Sequence, residues 1–182
     1  MRGADGSGGY TAIARLLHWL TALLVLGMLG VGLWMVGLPI GLTKLYVYAW
    51  HKWIGLTILV LTVLRLLWRT YRPSPTLPGT VAAWERRLAP WAHGALLVLL
   101  LAMPVSGWLM SSAGGVSVRW FGLIDLPDLV PREALTFEML RTLHHWLAWM
   151  LIAVLALHVA AVAYHDLFRR DGVFRRMSPF AR

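Results

Sequence analysis

Four long apolar stretches, separated by shorter polar segments, dominate the chain. The first runs over about residues 13–36, the second 45–68, the third 91–110 and the fourth 143–167. Each reaches or exceeds the roughly 20 residues that an α-helix, rising about 1.5 Å per residue, needs to cross about 30 Å of hydrocarbon. The pattern therefore predicts an all-α protein, an integral membrane four-helix bundle. The first stretch lacks a small-residue cleavage site and is followed by further spans, so it reads as a membrane helix and not as a removable signal peptide.

The connections are unequal. A short one surrounds Pro39 to Lys44, a proline-rich one runs from Tyr71 to Pro90, and the longest, Ser111 to Thr142, is expected to carry a short surface helix near Arg132 to Leu140. Residues 1–12, with Gly6-Ser7-Gly8-Gly9, read as a flexible N-terminal tail, residues 13–168 as one transmembrane domain and residues 169–182 as a basic tail.

Composition agrees: of 182 residues 59% are hydrophobic and 14% charged, against about 25% charged in ordinary soluble domains. The absence of cysteine excludes disulfides, thiolate-held iron–sulfur clusters and covalent haem attachment through C-x-x-C-H. The net charge of +9 does not argue for nucleic acid in so apolar a chain; it reads as loop cations that set topology. Twelve of the 17 cations fall on the side of both termini against four carboxylates, and five (Lys44, Lys52, Arg119, Arg132, Arg141) on the other against Asp125, Asp128, Glu133 and Glu138. The positive-inside rule then makes both termini cytoplasmic. Tryptophans 19, 34, 50, 68, 91 and 146 near the span ends read as headgroup-level anchors.

Ionisable groups inside a bilayer are costly, and here they are mainly the seven histidines, His18, His51, His93, His144, His145, His158 and His165. His144 and His158 are fourteen residues apart, which returns a helix to within about 40° of the same face at depths about 21 Å apart. His145 points elsewhere. By direction of travel, His51 on the second span can meet His144 near the periplasmic side, and His18 on the first can meet His158 in the cytoplasmic half. Two imidazole pairs at two depths suit two non-covalent b haems, each iron held axially from two helices and so closed to oxygen but suited to electron transfer. One ion cannot be held by all four. Arg65 follows His51 by the same fourteen residues and is a candidate for a haem propionate, or else snorkels to the surface beside Arg69. Gly27, Gly30, Gly32, Gly37, Gly55 and Gly107 could admit a flat macrocycle, or equally serve helix packing. A proton or metal-ion transporter lined by histidine is the alternative without electron transfer.

Leu17-His18-Trp19, His51, Val63-Leu64-Arg65-Leu66-Leu67, Ala102-Met103-Pro104-Val105-Ser106-Gly107 and His144…His158…His165 resemble the bacterial cytochrome b561 family, over nearly the whole chain after about Tyr10. The resemblance implies four membrane helices and two b haems, with ligands at His18, His51, His144 and His158. It also implies an oxidoreductase that takes electrons from periplasmic superoxide and delivers them to membrane ubiquinone, with a membrane subunit serving a partner dehydrogenase or periplasmic redox protein as the alternative. Lys52 and Arg141, with Lys44 and Arg119, are candidates for steering superoxide. His93 and His165, about 10 Å shallower than His158 on this count, are candidates for a quinone site.

Overall fold

The computed structural model describes residues 9–179. Its frame is four helices: α1 Ala12–Met35, α2 Leu42–Tyr71, α3 Ala83–Ala113 and α4 Ala134–Ala163, the last continuing as a π-helical turn, Tyr164–Arg169. All four are long and apolar enough to span a membrane. Most of the expected tail, residues 1–8, lies outside the described residues, as do 180–182. Tyr10 and Thr11 are pinned: Tyr10 N–H donates to the Arg176 carbonyl at 3.1 Å, and the Thr11 hydroxyl caps α1 by accepting from Ala14 N–H at 3.2 Å.

α1 packs on α2, α2 on α3 and α3 on α4. Close packing of α4 is thus with α3, and the seam facing α1 stays comparatively open. Val25, Ile58, Leu99, Leu100, Leu147 and Leu151 form the buried core at mid-bundle. Outward-facing Leu16, Leu23, Trp91, Val98 and Leu157 are exposed, as side chains facing lipid must be.

Two helices begin well before their apolar stretches. α3 starts at Ala83 and runs through Pro90, which was expected to close the preceding loop. The Glu85 carboxylate accepts the Ala82 N–H at 2.8 Å and complements the positive end of the helix. α4 starts at Ala134, so the separate surface helix expected near 132–140 is its first turns. The long connection shrinks and holds a small antiparallel hairpin, β1 Arg119–Trp120 with β2 Ile124–Asp125. Its turn uses Phe121 at φ 49° and Gly122 at φ 72°. Trp53 and Trp120 lock it to α2: Trp53 Nε1 donates to the Arg119 carbonyl at 2.6 Å and Trp120 Nε1 to the Trp53 carbonyl at 3.1 Å.

The segment after α4 folds back and does not trail as a tail. Asp171 accepts from His165 Nδ1 at 2.6 Å, Trp19 Nε1 donates to the Met177 carbonyl at 2.8 Å, and Arg169 donates to the Thr80 carbonyl at 2.8 Å.

Candidate paired-histidine centres

His51 stands nine residues into α2 and His144 ten residues into α4, so both lie about 13–15 Å from the hairpin-side ends of their helices. Sequence reasoning put them nearer the surface, because it started both helices late. Their ring centroids are 6.5 Å apart. Two imidazole–metal bonds of about 2 Å each, with the ring half-widths added, come to a little over 6 Å. The spacing therefore fits one ion between the rings.

Glycine makes room for both rings. A Cβ on Gly32 of α1 would meet His51 Cε1 at 3.2 Å, and one on Gly107 of α3 would meet His144 Cε1 at 3.2 Å. Gly27, Gly30 and Gly55, also candidates for close approach, have nothing within 4 Å. His144 Nδ1 lies 2.8 Å from the Ser106 hydroxyl, whereas His51 Nδ1 is buried without a hydrogen-bond partner. A cavity of about 1370 Å³ opens beside the pair, lined also by Leu29, Gly55, Met103 and Ile152. A mostly apolar pocket of that size, with two imidazoles 6.5 Å apart, accommodates a haem held by His51 and His144.

All five cations of the hairpin side, Lys44, Lys52, Arg119, Arg132 and Arg141, line this cavity and no carboxylate does. Part of the near cancellation of charge on that side is nonetheless local. Arg119 is tied to Asp125 at 3.3 Å and Arg141 to Glu138 at 2.6 Å, both exposed pairs, and Lys44 Nζ donates to the Leu38 carbonyl at 2.8 Å beyond the end of α1. Arg132, which sequence reasoning did not single out, joins Lys52 among the cations facing the cavity.

The second cluster lies toward the termini. His18, Arg65, His93 and His158 are close enough for their charges to be felt mutually, and His18 Nδ1 is buried without a partner. The orphaned imidazole fits a second ligand pair, and Arg65 faces the cluster, as a partner for a propionate must. His93 corrects the sequence reading: its ring centroid is 5.5 Å from that of His158, so it is not too shallow for the same centre. The cause is the early start of α3, which puts His93 ten residues, or about 15 Å, along the helix. His165 is held apart from this cluster by Asp171. The Asp171 side chain is 3% exposed. Burial pushes its carboxyl up, but the His165 and Val173 hydrogen bonds and the nearby Arg169 charge outweigh it and hold it below the ordinary carboxylate range. His145 accepts from Trp149 Nε1 at 3.2 Å and reaches the lining of the hairpin-side cavity. Among the described residues no group of three or more His, Asp or Glu side chains converges to hold a metal ion.

The model of the Prokaryotic cytochrome b561 family matches residues 9–180. Cytochrome b561 homolog 2 of Escherichia coli (strain K12) is 33% identical over 175 residues, covering 92% of this chain and 90% of that protein.

Proposed function

The chain belongs to the prokaryotic cytochrome b561 family of membrane electron-transfer proteins, which typically bind haem b, and from that premise we propose that it oxidises superoxide on the hairpin side and reduces ubiquinone at the end carrying the termini. His51 and His144 hold one b haem and His18 and His158 a second, with Arg65 on a propionate. Bound there, the haems supply one-electron transfer with no iron position left open. The charge bias of the loops orients the termini toward the cytoplasm of the inner membrane.

The observation that carries this reading is the five cations that line the cavity reaching His51 and His144, of which Lys52 and Arg132 stand outside the ion pairs of the described residues. A small anion is drawn in by such a cleft, whose low-dielectric walls focus the field. Lys52 and Arg132 do the drawing, with Arg141 shared with Glu138. Outer-sphere oxidation then asks of the protein only that the anion approach closely.

At the other end His165 borders the quinone, while His93 stands beside His158, between the quinone and the haem. Because the Asp171 carboxylate holds His165 through Nδ1, Nε2 is the atom at which a proton is taken up or handed on.

Stopped-flow mixing tests the reaction. Superoxide should reduce the purified protein faster than it disproportionates, salt should slow that phase, and ubiquinone should reoxidise the product. A second reading, delivery of electrons by a docked redox protein, is favoured by the apolar hairpin, where Leu123 is 81% and Ile124 53% exposed. Reduction no faster than disproportionation would leave that reading in place of the first.

A further inference from the structure

The Ser106 hydroxyl has two polar neighbours at 2.8 Å, the Met103 carbonyl of its own helix and His144 Nδ1. A hydroxyl has one proton. A carbonyl oxygen can only accept, so the proton lies on the Met103 side; otherwise two oxygens would meet lone pair to lone pair at that distance. The Ser106 oxygen is then an acceptor, and the only proton available between it and the ring is one on His144 Nδ1, toward which the Met103 carbonyl also points. The neutral imidazole is thereby fixed with its lone pair on Nε2.

We infer that Ser106 is a positioning residue that sets the tautomer and raises the donor strength of His144 as an axial ligand. Ser106 is 3% exposed, so water does not compete for the contact. Gly107 completes the device: without a side chain at that position the ring lies against α3, its Nδ1 edge turned to the serine. Nothing equivalent serves the facing ligand, since His51 Nδ1 is buried without a partner and the position before its cradle glycine is Val31. The two imidazoles that would hold one iron are therefore unequal. A hydrogen bond accepted from the distal N–H of a ligating imidazole makes that ring more basic. A more basic ligand favours ferric over ferrous iron and lowers the potential of that haem, leaving the other untouched.

The inference rests on His144 being a haem ligand, and the His144→Ala protein tests that separately. Loss of one haem supports the ligand reading and identifies the spectrum of the haem that remains; two retained haems would sink it. Optical redox titration then tests Ser106. Ser106→Ala should raise the potential of the His51/His144 haem alone. A tenfold loss of ferric preference, the low end of the roughly 10–100-fold cost of removing such partners, corresponds to about 59 mV for a one-electron couple. Ser106→Thr, which keeps the hydroxyl, should stay near wild type. If Ser106→Ala loses that haem while Ser106→Thr keeps it at the wild-type potential, the hydroxyl is again responsible. An unchanged potential in Ser106→Ala, or equal shifts or haem loss in both variants, overturns the inference, because packing and not the hydroxyl would then be at work.

Discussion

Gly32→Ala and Gly107→Ala separate a cofactor cradle from ordinary helix packing. Each adds one methyl whose carbon would sit 3.2 Å from a histidine Cε1, on His51 and His144 respectively. Ordinary carbon–carbon contact is about 3.5–4.0 Å, so each ring must retreat by about 0.3 Å or more. A ring free of metal can do so at little cost, and the helix gains up to about 1 kcal/mol from replacing glycine by alanine. A ring held on iron cannot retreat without lengthening its bond or moving the other ligand. The same substitution should therefore leave or raise the stability of the haem-free protein while weakening its hold on the hairpin-side haem by about tenfold or more. Gly30→Ala is the control: it has open space around the added carbon and takes the same propensity gain. The assay is haem content per chain after titration with haemin, with thermal unfolding of the apo-protein alongside. Equal haem retention by the Gly30, Gly32 and Gly107 variants would refute the cradle.

Replacing His51 or His144 by alanine should remove one haem and replacing His18 or His158 the other, read by pyridine haemochrome content, while His145→Ala keeps both. His93→Ala should also keep both; if it loses a haem that His18→Ala retains, His93 is the ligand partner of His158, whose ring it neighbours at 5.5 Å. The double variant Lys52→Gln/Arg132→Gln should slow haem reduction by superoxide by about tenfold at low salt. The gap should close near 1 M salt, where the screening length is about 3 Å; a constant ratio across salt would count against steering. Asp171 is held below the ordinary carboxylate range. Its contribution to the fold-back segment is thus fully present above the unfolded value of about 3.9 and is lost as pH falls through the lower folded value. Hydrogen exchange at Val173 should show that acid limb, and Asp171→Asn should abolish it.

Hydropathy made the four helices legible, and helical geometry made the shared face of His144 and His158 legible, because both follow from local periodicity. What it hid were the polar first turns. Ala83 to Pro90 carries Glu85, Arg86 and Arg87, and Ala134 to Thr142 carries Glu138 and Arg141. These turns project beyond the hydrocarbon, so an apolar-run criterion stops short of them and Pro90 looks like a boundary. The error then propagates: on α3 and α4 a depth counted from the apolar edge falls two to three turns short of the helix start, which is why His93 was separated from His158. The hairpin was illegible for another reason. Its strands are two residues long, its turn places Phe121 at positive φ, and what fixes it is two indole hydrogen bonds to α2 that no local pattern announces.

Charge shows the same gap between a sum and an arrangement. By composition the excess of cations lies at the end carrying the termini, which taken alone would draw an anion there. Several of those arginines are occupied with the chain itself: Arg169 and Arg176 donate to the Thr80 and Thr76 carbonyls and bind the fold-back segment to the α2–α3 connection. The hairpin end, nearly neutral in sum, turns all of its cations toward one cavity and keeps its carboxylates off the lining. Since screening limits exposed charges to about 8 Å at physiological ionic strength, a small anion responds to the cavity lining and not to the total. On the proposed reading the end with fewer cations is the one that draws the anion, and it is also the end where two imidazoles stand 6.5 Å apart.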